Sequence, residues 1–189
     1  CKVYLTRPGG KILEHAGGVI YPSGYTTNIG YLQSDRGQYN RVRDVDYVVG
    51  AAMMVTRSVI ERVGLLDSLF GLYYEETDLC YRARKAGFRV VYVPDAIVHH
   101  QHAMTVDRLY SKQEKRNRME RSRVAFALKN FDPPGIGKWV MNELRILAAL
   151  LLPFPTREAR SHLFALLQSY RWNLSHLAAI LRGRVRSVE

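Results

Sequence analysis

The sequence predicts an α/β fold that gives way, near residue 107, to a basic and mostly α-helical extension. Three observations carry that expectation. Short apolar runs rich in β-branched residues, bounded by Gly and Pro, recur through residues 1–107 and alternate with short helical spacings. After Val106 the pattern changes to long amphipathic helices. The charge changes with it: the chain carries +11, and residues 108–189, with 16 Lys and Arg against 6 Asp and Glu, hold +10 of that. Two segments follow, 1–107 and 108–189.

Taken in order, Lys2-Val3-Tyr4-Leu5-Thr6 alternates as a strand. Up to about Arg43, strand-like pieces are broken by Pro8-Gly9-Gly10, Gly17-Gly18, Pro22-Ser23-Gly24 and Arg36-Gly37, turn signals that mark an irregular, surface-lining stretch. Tyr47 to Val55 is a continuous apolar run and reads as a buried strand. Arg57 to Val63 is a short helix stopped by Gly64. Glu75 to Ala86 has helical spacing, with Leu79, Ala83 and Ala86 on one face and Gly87 as the stop. Arg89 to Val93 is a strand closed by Pro94, and Ala96 to His99 another. In the basic segment, a helix carrying Arg118, Arg121, Arg123 and Lys129 ends at Pro133-Pro134-Gly135. A second runs from Trp139 to Leu152, broken by Pro153 and Pro155, and a third from about Arg157 to Leu181.

Composition excludes several classes. Two distant cysteines, Cys1 and Cys80, form neither a disulfide framework nor a paired zinc motif and fit a reducing compartment, hence a cytoplasmic location. The longest apolar run, Ile146 to Leu152, falls far short of the ~18 to 20 residues a membrane-spanning helix needs. A chain that opens on Cys1, inside a strand, reads as a fragment.

Three places carry chemistry. Glu75-Glu76-Thr77-Asp78 puts three carboxylates at the start of a helix. The helix dipole favours their ionised forms, whereas mutual repulsion raises the pKa of at least one. That competition can make a general base near neutral pH. The same residues also fit an ordinary helix start, with Asp78 paired to Arg82 one turn on. In His99-His100-Gln101-His102, strand alternation puts His100 and His102 on one face, as metal ligands or as histidines satisfied by hydrogen bonds. Asp67 lies in the turn before the acidic helix.

Together the pieces carry more than any one of them. Gly50-Ala51-Ala52-Met53-Met54-Val55-Thr56-Arg57, Val63-Gly64-Leu65-Leu66-Asp67-Ser68-Leu69-Phe70, Glu75-Glu76-Thr77-Asp78-Leu79-Cys80-Tyr81-Arg82 and Val91-Tyr92-Val93-Pro94-Asp95-Ala96-Ile97-Val98-His99-His100 follow in that order. This closely resembles the C-terminal half of the catalytic domain of family-2 glycosyltransferases, the rhamnosyltransferase-like branch in particular. The resemblance implies a partial GT-A sandwich and transfer of a sugar, with inversion, from a nucleoside diphosphate to the hydroxyl of a glycan or lipid-linked acceptor in cell-surface polysaccharide synthesis. It makes Glu76 the general base, with Asp78 and Glu75 as alternatives, although the family usually carries Asp where Glu76 stands. It places Asp67, Gly50, Ala51 and Arg82 at the substrate, and His100 on a divalent cation, Mg²⁺ or Mn²⁺. The family's Asp-x-Asp motif has no counterpart: Asp44-Val45-Asp46 matches it in spelling only. The donor-binding half is expected upstream of Cys1, so this chain alone is expected not to turn over. The alternative reading is a non-catalytic acceptor- or membrane-binding half-domain.

The basic segment leaves two functional readings beside that of a solvated helix face. An Arg-rich amphipathic helix can lie on an anionic membrane surface, here the inner face of the cell membrane. Nucleic-acid binding is the rival, and no helix-turn-helix, zinc-finger or RNA-recognition signature supports it.

Overall fold

The computed structural model describes residues 1–6, 11–101, 104–151 and 156–183; Pro8-Gly9-Gly10, His102, Pro153 and Pro155 lie outside them. Strand β1 (Lys2–Leu5) is the centre of a three-stranded sheet. β2 (Leu13–His15) pairs with it antiparallel, and β7 (Ile97–His100) pairs parallel, Lys2 opposite Ile97 through to Leu5 opposite His100. Both faces of β1 and β2 are buried, so Lys2, Glu14 and His15 are buried polar groups that need internal partners. Lys2 finds Asp35 at 2.8 Å and Asn40 at 2.5 Å.

Two smaller pairs flank this sheet. β3 (Gly18–Ile20) and β4 (Thr26–Asn28) form an antiparallel hairpin, and β5 (Arg43–Asp44) pairs antiparallel with β6 (Val91–Tyr92). Tyr47–Val55 is not the buried strand its composition predicts. Tyr47 makes one bridge to Gly18, Val49–Ala52 turns back on itself with Ala52 N–H donating to the Val49 carbonyl, and the rest is extended coil. An apolar run becomes a strand only where another backbone lies alongside it, which periodicity cannot report. Gly18 is required here because a Cβ would sit 2.0 Å from the Tyr47 ring.

Helices α1 (Arg57–Val63) and α2 (Glu75–Lys85) stand as expected, α1 stopped by Gly64 at φ 80° and α2 followed by Gly87 at φ 88°. α3 (Met104–Leu109) leads to α4 (Lys112–Asn130), which opens on a capping box between Ser111 and Glu114. Pro133 does more than end α4: it begins α5 (Pro133–Leu151), the position where a missing N–H costs nothing, with Asp132 Oδ1 accepting from Gly135 N–H at 2.9 Å. The long last helix is two, α6 (Arg157–Ser175) and α7 (Leu177–Arg182), parted at His176. Among the described residues no helix is long and apolar enough to cross a membrane.

The packing is continuous across residue 107. One core cluster joins Phe70 and Tyr74 to Val124, Phe126, Phe131, Trp139 and Ile180. A second gathers Ala16, Val45, Tyr47, Val48, Cys80 and Tyr92 behind α2. Between the segments lies a buried polar knot. Arg123, 0 % exposed, bonds Glu120 at 2.7 Å, Glu143 Oε2 at 3.0 Å and the Ser23 carbonyl at 2.7 Å, and lies 4.3 Å over the Tyr25 ring. A guanidinium so far from water is tolerable because two carboxylates neutralise it.

Candidate active site

The start of α2 is set by strain. Tyr73 and Tyr74 occupy consecutive left-handed conformations, φ 69° and 73°, each costing on the order of 1–3 kcal/mol. Surrounding contacts hold them there. The Tyr74 hydroxyl donates to the Gly24 carbonyl at 2.9 Å and its ring packs 5.6 Å from Phe126. Arg121 and Ser122 of α4 donate to the carbonyls of Phe70 and Leu72. The sharp turn delivers Glu75 and Glu76 into the first turn of α2.

Glu76 is the perturbed carboxyl of the site. Burial first, and then the charge of Glu75, push its pKa up to about 7, against the opposing pull of the amides of Glu76 and Thr77. Glu75 Oε2 and Glu76 Oε2 are both buried without a hydrogen-bond partner. Orphaned acceptors are rare in native structures, and here two belong to consecutive residues.

Facing Glu76 is the exposed Gly50-Ala51 turn; a Cβ on Gly50 would lie 3.6 Å from the Glu76 Cβ. The turn is held at both ends. Cys1 Sγ donates to the Ala52 carbonyl at 3.0 Å, and Val49 N–H donates to His15 Nε2 at 3.3 Å. The other His15 nitrogen lies 3.1 Å from Asn28 Oδ1, which also accepts from the Tyr47 hydroxyl. Since Nε2 must accept, His15 is the neutral Nδ1–H tautomer, and burial accordingly pushes its pKa down to about 4.

His100, at the end of β7, places Nδ1 2.8 and 3.1 Å from the two oxygens of Glu14, a buried carboxylate on β2. A carboxylate orienting an imidazole is the usual support of a metal-ligating histidine. The neighbouring His99 points to the opposite face and packs 5.5 Å from the Tyr4 ring. Among the described residues, no three His, Cys, Asp or Glu side chains gather as a metal site. Among the described residues, what this place offers a cation is one imidazole backed by a carboxylate.

Two of the expected site residues, Asp78 and Arg82, are turned inward. Asp78 is 0 % exposed and accepts from Arg82 at 2.7 Å, Lys129 at 2.9 and 3.0 Å, and Asn130 at 2.8 Å. Arg82 spends its other nitrogens on the carbonyls of Val63 and Leu65, clamping the turn that carries Asp67. Asp67 itself is tied to Lys129 at 2.7 Å and to Leu69 N–H at 2.9 Å. Burial opposes its ionisation, but those two bonds prevail and its pKa falls below the ordinary value. Asp44 and Asp46 serve the fold, Asp44 bonding Arg89 and Asp46 bonding Arg84 and the Ile20 amide. Glu14, His15 and Lys129 were missed by sequence reasoning; their partners lie 86, 34 and 51 positions away, and no local pattern marks them.

Fold and site thus define an α/β domain that presents a protonatable carboxyl at a strained helix start against a glycine turn. The family model described as "Glycosyltransferase like family 2" matches residues 12–120, and the chain belongs to that family. It is 40% identical over 63 residues to the low-salt glycan biosynthesis hexosyltransferase of Haloferax volcanii, covering 33% of this chain and 20% of that protein. It is 39% identical over 66 residues to the N-acetylglucosaminyl-diphospho-decaprenol L-rhamnosyltransferase of Mycobacterium tuberculosis, covering 35% of this chain and 22% of that protein. The chain thus spans about a fifth of the length of the curated relatives it matches. No solved structure matches it.

Proposed function

We propose that the chain is the acceptor-side part of an inverting glycosyltransferase, in which Glu76 takes the proton of the acceptor hydroxyl as its oxygen attacks the anomeric carbon of a nucleoside-diphosphate sugar. The observation that carries this is the Glu76 carboxyl itself, raised to about 7 with a buried oxygen that nothing in the protein engages. Such a group holds a proton weakly enough to release it and strongly enough to take it near neutral pH. Glu75 is the neighbour whose charge tunes it, the Gly50-Ala51 turn is the wall the acceptor slides along, and Asp67, held by Lys129, lies in the turn that leads to α2. Asp78, Arg82 and Lys129 hold α2 in register for that task.

His100, set by Glu14, would hold one position of a divalent cation, Mg²⁺ or Mn²⁺, whose chemistry when bound is to neutralise the leaving diphosphate. The relatives' printed names, a hexosyltransferase of glycan biosynthesis and a rhamnosyltransferase acting on a diphospho-decaprenol, favour a glycan or lipid-linked acceptor. A location against the inner face of the cell membrane fits such an acceptor. In its support, Val140, Met141 and Leu144 of α5 and Phe164, Leu167 and Leu174 of α6 are exposed beside Lys138, Arg145 and Arg171. Nothing comparable favours nucleic acid.

Turnover of the complete enzyme tests the proposal. Glu76→Gln should lower kcat by about 10²- to 10⁴-fold, the usual worth of a general base. Unchanged kcat would remove Glu76 from the reaction and leave the non-catalytic binding module as the better reading.

A further inference from the structure

On the flank of the 70–74 loop lies a second feature that the proton transfer does not use. Arg118 and Arg121 stand three residues apart on α4, hence on one face, and line a cleft against α6 together with Asn117, Gln168 and Trp172. Like charges so placed repel, and the cleft offers them one carboxylate: Glu114, which attracts Arg118 one turn on while its Oε2 accepts from the Ser111 N–H at 2.8 Å and hydroxyl at 2.7 Å. Arg118 lies 4.2 Å over the Tyr110 ring and Arg121 4.6 Å over the Trp172 ring, so each guanidinium has a cation–π partner.

Arg121 carries the second observation. Its Nε is buried and has no hydrogen-bond partner, while its Nη2 reaches the Phe70 carbonyl at 3.3 Å. An unpaired guanidinium N–H is costly to bury, so the Arg121 head gains by turning toward an anion in the cleft. Burial first, and the charge of Arg118 second, lower the Arg121 pKa. The cleft also adjoins the catalytic turn: Arg121 and Ser122 hold Phe70 and Leu72, and the field of Arg118 reaches Tyr73, as that of Glu75 does.

We propose that this cleft binds the diphosphate group of a lipid-linked acceptor, with Arg118 and Arg121 as its two anchors. The proposal rests on the transferase reading above and adds to it the place where the acceptor is gripped. A diphosphate offers two linked phosphoryl groups to two guanidinium groups on one helix face, and paired Arg–phosphate contacts of this kind are strong and geometrically specific. The sugar hydroxyl would then lie along the 70–75 loop toward Glu76.

Calorimetric titration of the chain with inorganic pyrophosphate and with geranyl diphosphate tests this, together with the side-chain Nε–H resonance of Arg121 in ¹⁵N-correlated NMR. Both anions should bind, compete with one another and shift that resonance. Arg118→Gln, at a half-buried position that leaves the Arg121 packing intact, should weaken both by about tenfold or more, for the loss of one charge-assisted pair, with helical circular dichroism unchanged. Equal binding by Arg118→Gln and parent, or no pyrophosphate binding at all, overturns the proposal. So does Arg118-dependent binding to phosphatidylglycerol vesicles without any effect of pyrophosphate, which would make the cleft a headgroup contact. Failure of the transferase reading is distinct: Glu76→Gln would then leave turnover intact while pyrophosphate still binds.

Discussion

A carboxyl group whose pKa is raised in the folded protein leaves a signature in both kinetics and stability. For Glu76, kcat/KM of the complete enzyme should climb with pH along a limb near 7, where the base loses its proton. Glu75→Gln should move that limb to lower pH, because the charge of Glu75 is part of what raises it. Stability runs the other way. Between the ordinary value of 4.5 and about 7 the folded chain holds a proton that the unfolded chain has released, so stability falls as pH rises through that window. At about 1.4 kcal/mol per unit the full penalty is about 3 kcal/mol above pH 7. Glu76→Gln should therefore be more stable than the parent at pH 8 and equal to it at pH 4, as thermal unfolding at the two pH values would reveal. A buried carboxyl kept at the expense of stability is the trade that the proposed role of Glu76 as a base entails.

His15 makes the opposite case at the same scale. Its pKa is pushed down from 6.5 to about 4, so the unfolded chain takes up the proton first. The stability it contributes is complete above 6.5 and is lost as pH falls through 4, about 3 kcal/mol in all by the same conversion. Below pH 4 the protonated ring can no longer accept from Val49, and the Gly50-Ala51 turn loses its inner tether. His15→Gln, which can still accept at that point, should flatten the acid limb of a urea-unfolding series between pH 6.5 and 4.

Among the elements, α2 is the one on which the rest of the site depends, and its hold is ionic. Asp78 faces Arg82, Lys129 and Asn130 with no exposed surface, and Asp67 shares Lys129. Asp78→Ala would leave two buried cations without their shared counter-charge and should cost about 3–5 kcal/mol in urea unfolding. This element was also the most legible in the sequence: acidic first turn, 3.6-residue spacing and Gly87 are all local signals. The 47–55 segment was not, since its apolar composition is that of a strand while its backbone partners are Gly18 and His15, remote in sequence. The pair of left-handed tyrosines was equally hidden. Nothing in Tyr73-Tyr74 marks a turn; the Gly24 carbonyl, Phe126 and the Arg121 and Ser122 donors, all remote in sequence, impose it.

For the molecule as a whole, the charge count marks residues 108–189 as basic without saying where those charges lie. Of the cations that make residues 108–189 basic, Arg123 and Lys129 are core residues neutralised by Glu120, Glu143, Asp67 and Asp78, two of which belong to the preceding segment. The helices are thus structural partners of the α/β part as well as a basic surface. Phe70 and Tyr74, 0 % and 6 % exposed, have most of their apolar neighbours on α4, α5 and α7. A chain cut after residue 107 would expose that cluster, strand the Asp78 carboxylate without Lys129 and Asn130, and release the 70–74 loop from Arg121 and Ser122. With the left-handed conformations at Tyr73 and Tyr74 no longer enforced, relaxing them would be worth on the order of 1–3 kcal/mol each, and α2 would lose its fixed start. The expected product is a collapsed state with near-UV circular dichroism lost and no sharp urea transition, in contrast to cooperative unfolding of residues 1–189. A cooperative transition in the 1–107 piece would mean that the sheet and α2 are self-sufficient, and that the helices act on the site only from outside.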